Sequence, residues 1–341
     1  MQRIASALTF AILIAGPAFG QPAADSKVFH FAHTETPVGF QEIGNAIRSI
    51  TELQQVSLVI ESKALAIRGP ADGLSMAEWL FRALDRPAGT SASAKLEFPT
   101  PGASNDLAWV FYIVHAGNPQ RMQEIVNAIR SIGEVQRAVV CNQPRAIVLR
   151  GTAAQIGLAE WIVDALDRPA GSPPAPTQSR ILTEPEFRRP VGSAPVAKVI
   201  YAPFIKTPQH LQEAVSMVRT VAEVQRVVAY SATGAIVLRG SAEQASLAEW
   251  LLNSLDKPST APGPVVPAEG RQLEMVTRVF HFATLDTPSR YQGLVDQLRT
   301  QAQVMRIAFY SPQRAIALRA SAEQVAAAER LIREADRPPA Q

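Results

Sequence analysis

A short motif recurs four times in this chain of 341 residues, always at the same distance from two prolines. The copies resemble Ala-Ile-Val-Leu-Arg-Gly, and their arginines are Arg68, Arg150, Arg239 and Arg319. One proline lies 31 residues before each arginine, at Pro37, Pro119, Pro208 and Pro288. A second lies 19 residues after it, at Pro87, Pro169, Pro258 and Pro338. Because no copy contains an insertion, the spacing predicts four copies of one supersecondary unit.

The second copy shows which elements a unit contains. Residues 110–114 alternate apolar and polar side chains, which predicts a half-buried strand. Asn118-Pro119 is a helix start, and apolar residues follow it at helical spacing. Two β-branched runs then flank a four-residue turn at 142–145, which predicts a hairpin. A second helix follows Thr152 and ends at Pro169.

Each unit therefore predicts the order β-α-β-β-α, an α+β fold with two helices on one face of a three-stranded antiparallel sheet. We expect the third strand in the centre because it is the most continuously apolar. The predicted domains are module 1 (27–88), module 2 (107–170), module 3 (197–259) and module 4 (277–339). Units of about 60 residues are near the lower limit for a self-sufficient core, so contacts with neighbours or oligomerisation should contribute to stability.

The stretches between modules are rich in Pro, Ala and Ser, which indicates semi-extended linkers outside the core. Their length of about twenty residues is unusual in a tightly stacked solenoid, where connections are short. We therefore expect separate beads with restrained spacing.

The first twenty residues predict a secretory signal peptide. Arg3 precedes a short apolar run, and Ala18-Phe-Gly20 places small residues before a cleavage site between Gly20 and Gln21. No later segment approaches eighteen consecutive apolar residues, so we expect an exported, periplasmic or extracellular chain with no transmembrane segment after cleavage.

Composition and motifs argue against several classes of function. Without Arg3 the formal net charge falls from +3 to +2, and no basic block indicates nucleic acid as a partner. No phosphate-binding glycine loop, nucleophile elbow or metal-ligand spacing is present, so we expect no enzyme and no cofactor. Cys141 is the only cysteine and lies at a strand position, which favours a buried, inert thiol.

Two recurring polar positions favour structural roles. His30 and His281 occupy the strand position that Tyr112 and Tyr201 fill in other modules, so we expect outward-facing surface rings there, with no metal. An aspartate ends the second helix of each module, and we expect it to form local turn hydrogen bonds. These aspartates are Asp85, Asp167, Asp256 and Asp336.

The arginines are the best polar candidates for interaction. A hairpin that pairs Cys141 with Ala146 places Arg137 opposite Arg150, and the other modules repeat this register. Like charges directly opposite each other are unfavourable without an acidic partner. Either an acidic side chain of the same module neutralises them, which we favour, or another chain does. The candidate interaction residues are Arg68, Arg137, Arg150, Arg226, Arg239, Arg306 and Arg319.

A tryptophan recurs in the second helix of three modules, as Trp79, Trp161 and Trp250. Module 4 has Arg330 at the equivalent position, which a fully buried site would not accept readily. We therefore expect these tryptophans to be half-exposed and to pack on another module or chain.

Residues 146–152, Ala-Ile-Val-Leu-Arg-Gly-Thr, and 166–169, Leu-Asp-Arg-Pro, resemble the periplasmic N-domains of secretins, which are NolW-like or ring-building modules. The resemblance covers all four modules, roughly 240 of the 341 residues. It implies a KH-like fold, a place in the cell envelope and a role in protein interaction. Only three residues follow Pro338, so we expect no secretin pore domain. KH-like modules bind nucleic acid through a GXXG loop, and none is present.

We therefore expect a non-catalytic exported scaffold or adaptor that mediates protein–protein interaction in the envelope. Its expected partners are envelope proteins, including a secretin-type secretion or pilus complex, or further copies of itself. The alternative is a periplasmic or extracellular protein that binds a cell-wall glycan or peptide.

Overall fold

A computed structural model describes most of the chain. The described residues are 25–87, 95–99, 106–169, 172–173, 175–182, 195–202, 205, 207–256, 266–267, 274–285 and 287–337. The predicted signal peptide and its cleavage site at Gly20 and Gln21 lie outside them.

The described residues contain eight α-helices and four small antiparallel sheets, consistent with a repeated unit. The helices are α1 (Pro37–Thr51), α2 (Ala71–Leu84), α3 (Pro119–Ile132), α4 (Ala153–Leu166), α5 (Pro208–Val221), α6 (Ala242–Asp256), α7 (Pro288–Thr300) and α8 (Ala322–Ala335). A single 3-10 turn spans Ser311–Gln313.

The strands fall between these helices in a regular order. In module 1 they are β1 (Asp25–His30), β2 (Gln55–Val59) and β3 (Ala64–Gly69). Around module 2 they are β4 (Lys95–Pro99), β5 (Asp106–Tyr112), β6 (Arg137–Cys141) and β7 (Ala146–Thr152). Around module 3 they are β8 (Gln178–Ile181), β9 (Val196–Tyr201), β10 (Arg226–Tyr230) and β11 (Ala235–Gly240). Around module 4 they are β12 (Val266–Pro267), β13 (Glu274–His281), β14 (Arg306–Tyr310) and β15 (Ala315–Ser321).

The last strand of every module lies inside its sheet, between the module's other two strands. The sheet orders are β1-β3-β2, β4-β5-β7-β6, β8-β9-β11-β10 and β12-β13-β15-β14. The hairpin register is the predicted one, since Cys141 pairs with Ala146 and Arg137 with Arg150. The strands run antiparallel, so this register puts one side of each sheet on its own helices and the other side outward.

Polar residues fix where the helices begin. Thr36, Asn118 and Thr207 each accept a hydrogen bond from the backbone N–H three residues on, and a proline fills the first turn. The second helices of modules 2 and 4 begin with a capping box, from Thr152 and Ser321 respectively. These caps satisfy amide groups that the helix itself leaves unpaired.

The aspartates that end the second helices of modules 1, 2 and 4 have a longer reach than the predicted local turn. Asp167 accepts hydrogen bonds from the backbone N–H groups of Val114, His115 and Ala116, 51 to 53 residues earlier. Asp85 and Asp336 bind the equivalent loops of modules 1 and 4. These three carboxylates therefore tie the end of the second helix to the loop that precedes the first helix.

This tie predicts an acid-sensitive module 4. Burial raises the pKa of Asp336, but the hydrogen bonds from Ala283, Thr284 and Leu285 outweigh it, so the pKa is lowered overall. A carboxylate with a lowered folded-state pKa stabilises the fold, and this stabilisation is fully present above the ordinary aspartate pKa of about 3.9. It is lost as the pH falls through the lowered value. We expect Asp336→Asn to reduce the acid dependence of unfolding, measured by denaturant titration at several pH values. An unchanged pH profile would contradict this role.

The linkers differ from the prediction, because parts of them belong to the sheets. Strands β4, β8 and β12 come from the predicted linkers and pair antiparallel with the first strand of the next module. The bead arrangement is also wrong, since buried clusters extend from one module into the next. The first cluster joins Ile47 and Leu80 of module 1 to Val110 and Val148 of module 2. Modules 2 and 3, and modules 3 and 4, are joined in the same way.

The packing follows from side-chain patterns. Along β7 both sides are apolar: Ile147 and Leu149 face their own helices, while Ala146 and Val148 face outward. An outward apolar face needs a cover, and the first helix of the preceding module provides it. The modules therefore form a continuous stack of alternating sheets and helix pairs.

Candidate functional site

The feature that repeats through the stack is the joint between consecutive modules. In each joint the first helix of one module lies along the second strand of the next, so that α1 covers β6, α3 covers β10 and α5 covers β14. We call these joint 1–2, joint 2–3 and joint 3–4. Their polar contacts recur at equivalent residues and define how one module recognises another.

An acidic side chain lies at the centre of every joint. It lies one or two residues after the end of the first helix, in left-handed backbone. The three residues are Glu52, Glu134 and Glu223, with φ of 62°, 57° and 56°. Each carboxylate binds both opposed arginines of the next module, at positions that the sequence marked as candidates.

The carboxylate contacts are close in all three joints. In joint 3–4, Glu223 lies 2.5 Å from Arg306 and 2.7 Å from Arg319. In joint 2–3, Glu134 binds Arg226 and lies 3.4 Å from Arg239. In joint 1–2, Glu52 binds Arg137 and lies 3.4 Å from Arg150.

The end of the helix adds further acceptors for the arginines. Arg150 donates to the carbonyl oxygen of Ile50 at 3.1 Å, and Arg239 donates to that of Ile132 at 3.0 Å. The last carbonyls of a helix lack intrahelical donors and carry partial negative charge, so a guanidinium is stabilised there. The arginine pairs are thus neutralised mainly by the preceding module of the same chain, an arrangement that neither alternative left open by the sequence included. Arg150 also lies 3.5 Å from Asp106 of β5 in its own sheet, which is the kind of partner that the favoured alternative expected.

Burial makes this contact consequential in joints 2–3 and 3–4. The side chains of Arg239 and Arg319 are 2% and 1% exposed. Burial lowers the pKa of each guanidinium, and the adjacent Glu134 or Glu223 opposes that effect. Water cannot reach a buried guanidinium to take the place of a lost carboxylate, so we expect these glutamates to stabilise the contact between modules.

A second acidic contact lies near the start of the same helix. Glu124 accepts hydrogen bonds from the backbone N–H and the hydroxyl of Ser231, all at 2.8 Å. Glu213 binds Ser311 in the same way, and Glu42 binds Asn142 through its backbone and side-chain N–H groups. Two acidic anchors, ten residues apart, therefore fix the register of helix on strand.

The recurring aromatic ring of the first strand is a third contact. The hydroxyl groups of Tyr112 and Tyr201 donate to the carbonyl oxygens of Ala83 and Ala165, both at 2.7 Å. His281 Nε2 lies 3.2 Å from the carbonyl oxygen of Ser254. The predicted surface position is therefore wrong except in module 1, where His30 is exposed. The rings point away from their own module but contact the preceding one.

The tryptophans are half-buried, and each packs on a cluster that includes the next module. The rings of Trp79 and Phe98 are 5.3 Å apart, and Phe98 belongs to β4 of the following sheet. Trp161 and Trp250 pack in the same way beside joints 2–3 and 3–4. Arg330, which replaces them in module 4, is exposed.

Metal-ligating groups and the single cysteine were the remaining candidates for chemistry in the described part of the chain. No group of three or more His, Cys, Asp or Glu side chains there could hold a metal ion. Cys141 is buried, and burial raises the pKa of its thiol, which disfavours the reactive thiolate. Of the helices in the described ranges, none combines the length and the apolar character needed to cross a membrane.

The two ends of the stack lack several of these contacts. In module 4, Gly293 and Gln303 replace the two acidic anchors, and both are exposed. In module 1, Gln55 replaces the first arginine of the pair, and Ile60 replaces the serine or asparagine. Arg68 remains but is exposed.

Sequence reasoning found the arginines of each joint but missed their acidic partners. Glu52, Glu134 and Glu223 lie 15 residues after the proline that starts the first helix. Glu42, Glu124 and Glu213 lie five residues after it. Their equal offsets were a signal of shared function, although only the fold reveals that their partners lie in the next module.

No family model and no curated protein matches this chain. Among solved structures, it is similar to the ETEC pilotin–secretin AspS–GspD complex, with 14% identity, a TM-score of 0.16, and 68% of this chain and 38% of that chain covered. It is also similar to ExeD of Aeromonas hydrophila, with 13% identity, a TM-score of 0.17, and 87% and 59% covered.

A third similarity is to the aspartate kinase of Synechocystis, with 12% identity, a TM-score of 0.16, and 93% and 55% covered. The chain covers less than two thirds of each of these three proteins. TM-scores of 0.16 to 0.17 are too low to indicate a function.

Proposed function

We propose that the chain is a non-catalytic, exported scaffold or adaptor that acts through protein–protein interaction in the cell envelope. Its proposed partner is a secretin-type secretion or pilus complex. The modules are proposed to be βαββα units of the KH-like kind found in secretin N-domains, as their sequence motifs suggest.

The observation that carries the proposal is the joint, repeated three times with the same chemistry. In the three joints, the recurring arginines and glutamates serve the contact between neighbouring modules. Glu134, Arg226 and Arg239 show this most clearly, because all three meet at the surface between modules 2 and 3. A chain whose polar residues are used in this way is suited to hold other proteins at fixed spacing.

The proposal is tested with the whole chain and two kinds of envelope ligand. We expect the purified chain to bind the purified periplasmic region of a secretin from the same cell, measured by co-sedimentation and by interferometry. We expect no binding to purified cell-wall glycan. Binding to glycan without binding to protein would favour the alternative function and contradict the scaffold.

Fractionation tests the proposed location. A tagged chain should be recovered from the envelope of the cell and should be accessible to protease after the outer membrane is opened. Recovery from the cytoplasm with its first twenty residues intact would contradict export.

A further inference from the structure

We propose that the outer sheet face of module 1 is a docking site for a helix of a partner protein, and that this helix ends in an acidic side chain. The inference rests on the proposed function, because it names the chemistry by which the scaffold would recognise its partner. We call the surface the N-terminal face, and define it by Val28, Gln55, Val59, Ile60 and Arg68.

The N-terminal face is the only one of the four outer sheet faces in the described part of the chain that has no helix over it. Val28, Val59 and Ile60 are 58%, 43% and 46% exposed. The residues equivalent to Val28 in modules 2 and 3, Val110 and Val199, are fully buried. Val28 and Val59 lie on the two outer strands, with Ala64 and Ala66 of β3 between them. Exposed apolar side chains on a face that is elsewhere covered indicate an interaction surface.

Arg68 shows what kind of cover fits. It lies where Arg150, Arg239 and Arg319 lie in the other modules, and each of those binds a glutamate at the end of a helix. Arg68 itself is exposed and makes no ion pair or hydrogen bond within the described residues. On this face Arg68 lies between Ser26 and Gln55, and its free guanidinium matches a carboxylate and the carbonyl groups of a helix C-terminus.

The substitutions on the face describe the partner further. Gln55 replaces one arginine of the usual pair, so the carboxylate of the partner helix would meet a single positive charge, that of Arg68. Ile60 replaces the residue that binds the first acidic anchor, so the partner helix should carry an apolar residue there. The anchors of α1, Glu42 and Glu52, are ten residues apart, with Ala46 between them on the same side. The same position is Ala128 in α3 and Met217 in α5, and all three side chains are buried. We therefore infer a helix with an apolar residue, a second apolar residue four positions later, and an acidic one ten positions after the first.

A second copy of this chain fits the face less well. The free helix surface at the other end of the stack belongs to α7, which carries Gln297 where α1 has Ala46 and Gln303 where Glu52 follows α1. Gly293 leaves room for Ile60, since no atom lies within 4 Å of an added Cβ. However, this surface is polar and offers no carboxylate to Arg68 at the equivalent positions. The N-terminal face thus presents exposed apolar side chains together with a free arginine, whereas α7 offers Gly293, Gln297 and Gln303 at the positions that would meet it.

A peptide from the chain itself can serve as the probe. Residues 207–224 contain α5 and Glu223, and they cover the sheet of module 4. The substitution Glu213→Leu adapts this peptide to Ile60. We expect a labelled copy to bind the whole chain in fluorescence anisotropy, and we expect Arg68→Gln to weaken binding about three- to tenfold. Arg82→Gln is the matched control, because Arg82 is exposed on a helix away from this face, and it should leave binding unchanged.

Charge pairing is tested by a cycle of two substitutions. Replacing the acidic residue of the peptide, Glu223→Gln, should weaken binding by the same factor as Arg68→Gln, and the two together should weaken it no further. Equal binding to the parent chain and to Arg68→Gln, or fully independent effects, would overturn the inference. So would self-association in light scattering that Arg68→Gln abolishes, since the occupant would then be a second copy.

The outcome is separable from that of the proposed function. If the chain binds a secretin and Arg68→Gln binds it equally well, the scaffold stands and the docking site on the N-terminal face is wrong. If the chain binds the adapted peptide through Arg68 but no envelope protein, the face is an interaction surface and the secretin partner is wrong.

Discussion

Replacing Glu134 by glutamine is expected to lower the free energy of unfolding by about 3 kcal/mol, because the change removes a carboxylate that contacts two arginines, one of them buried. Glu134 is the acidic partner of both Arg226 and Arg239, and the side chain of Arg239 is 2% exposed. Glutamine keeps the size of the side chain and its tolerance of left-handed backbone, so the effect reports charge. Denaturant unfolding, followed by tryptophan fluorescence, measures the change.

The chain provides two graded controls for this experiment. Glu52 is half-exposed, so Glu52→Gln should cost about 1 kcal/mol or less. Gln303 is the uncharged equivalent in module 4 and is exposed, so Gln303→Glu should change the stability by less than about 0.5 kcal/mol. Equal losses for Glu134→Gln and Gln303→Glu would show that the joint does not depend on the ion pairs.

The shape of the unfolding curve gives a second result. A stack whose units contact only their neighbours unfolds together as long as the joints are strong. We expect Glu134→Gln to separate modules 1 and 2 from modules 3 and 4, so that one transition becomes two. Trp161 lies on one side of joint 2–3 and Trp250 on the other, and single-tryptophan variants would assign the two steps.

Replacing Met217 by glutamine should cost about 2 to 4 kcal/mol, because it buries an amide in a cluster made mainly of apolar side chains. Met217 is fully buried and belongs to the cluster that joins α5 to Tyr310, Ala315 and Ala317 of module 4. Thermal unfolding of the whole chain measures the loss. Glutamine is the residue that α7 carries at the same position, so the change gives α5 the character of an uncovered helix.

The reverse substitution in module 4 is the control. Gln297 is exposed, and Gln297→Met should change the stability by less than about 0.5 kcal/mol. If Met217→Gln were as harmless as Gln297→Met, the helix of module 3 would not be buried against module 4, and the stack would be wrong at that joint.

The elements within a module could be predicted because their signals are local. Thr207-Pro208 and Ser321 begin helices, and alternation marks the strands, so each depends on residues close in sequence. The register of Arg226 with Arg239 also followed from the hairpin, since a short turn fixes which residues face each other.

The stack could not be predicted from the same signals. The stretch 170–196 has a composition typical of a linker, yet it supplies β8, because an exposed sheet edge can pair with almost any extended backbone. Val148 and Val237 look like ordinary core residues of their own modules, and only the sheet geometry shows that they face the preceding helix. The spacing of apolar residues along a strand shows that one face of the sheet is apolar. It does not show which helix packs on that face.

The equal chemistry of the joints has a consequence for the length of the stack. Glu52 now binds Arg137 and Arg150 of module 2. If module 2 were removed, Glu52 would meet the equivalent arginines of module 3, which are Arg226 and Arg239. Adding or losing an interior module therefore preserves the pairing of one glutamate with two arginines at the new boundary, while the two ends keep their own surfaces. Gain or loss of one module during evolution would therefore change the length of the stack by one module. The distance between the proteins bound at its two ends would change by the same amount.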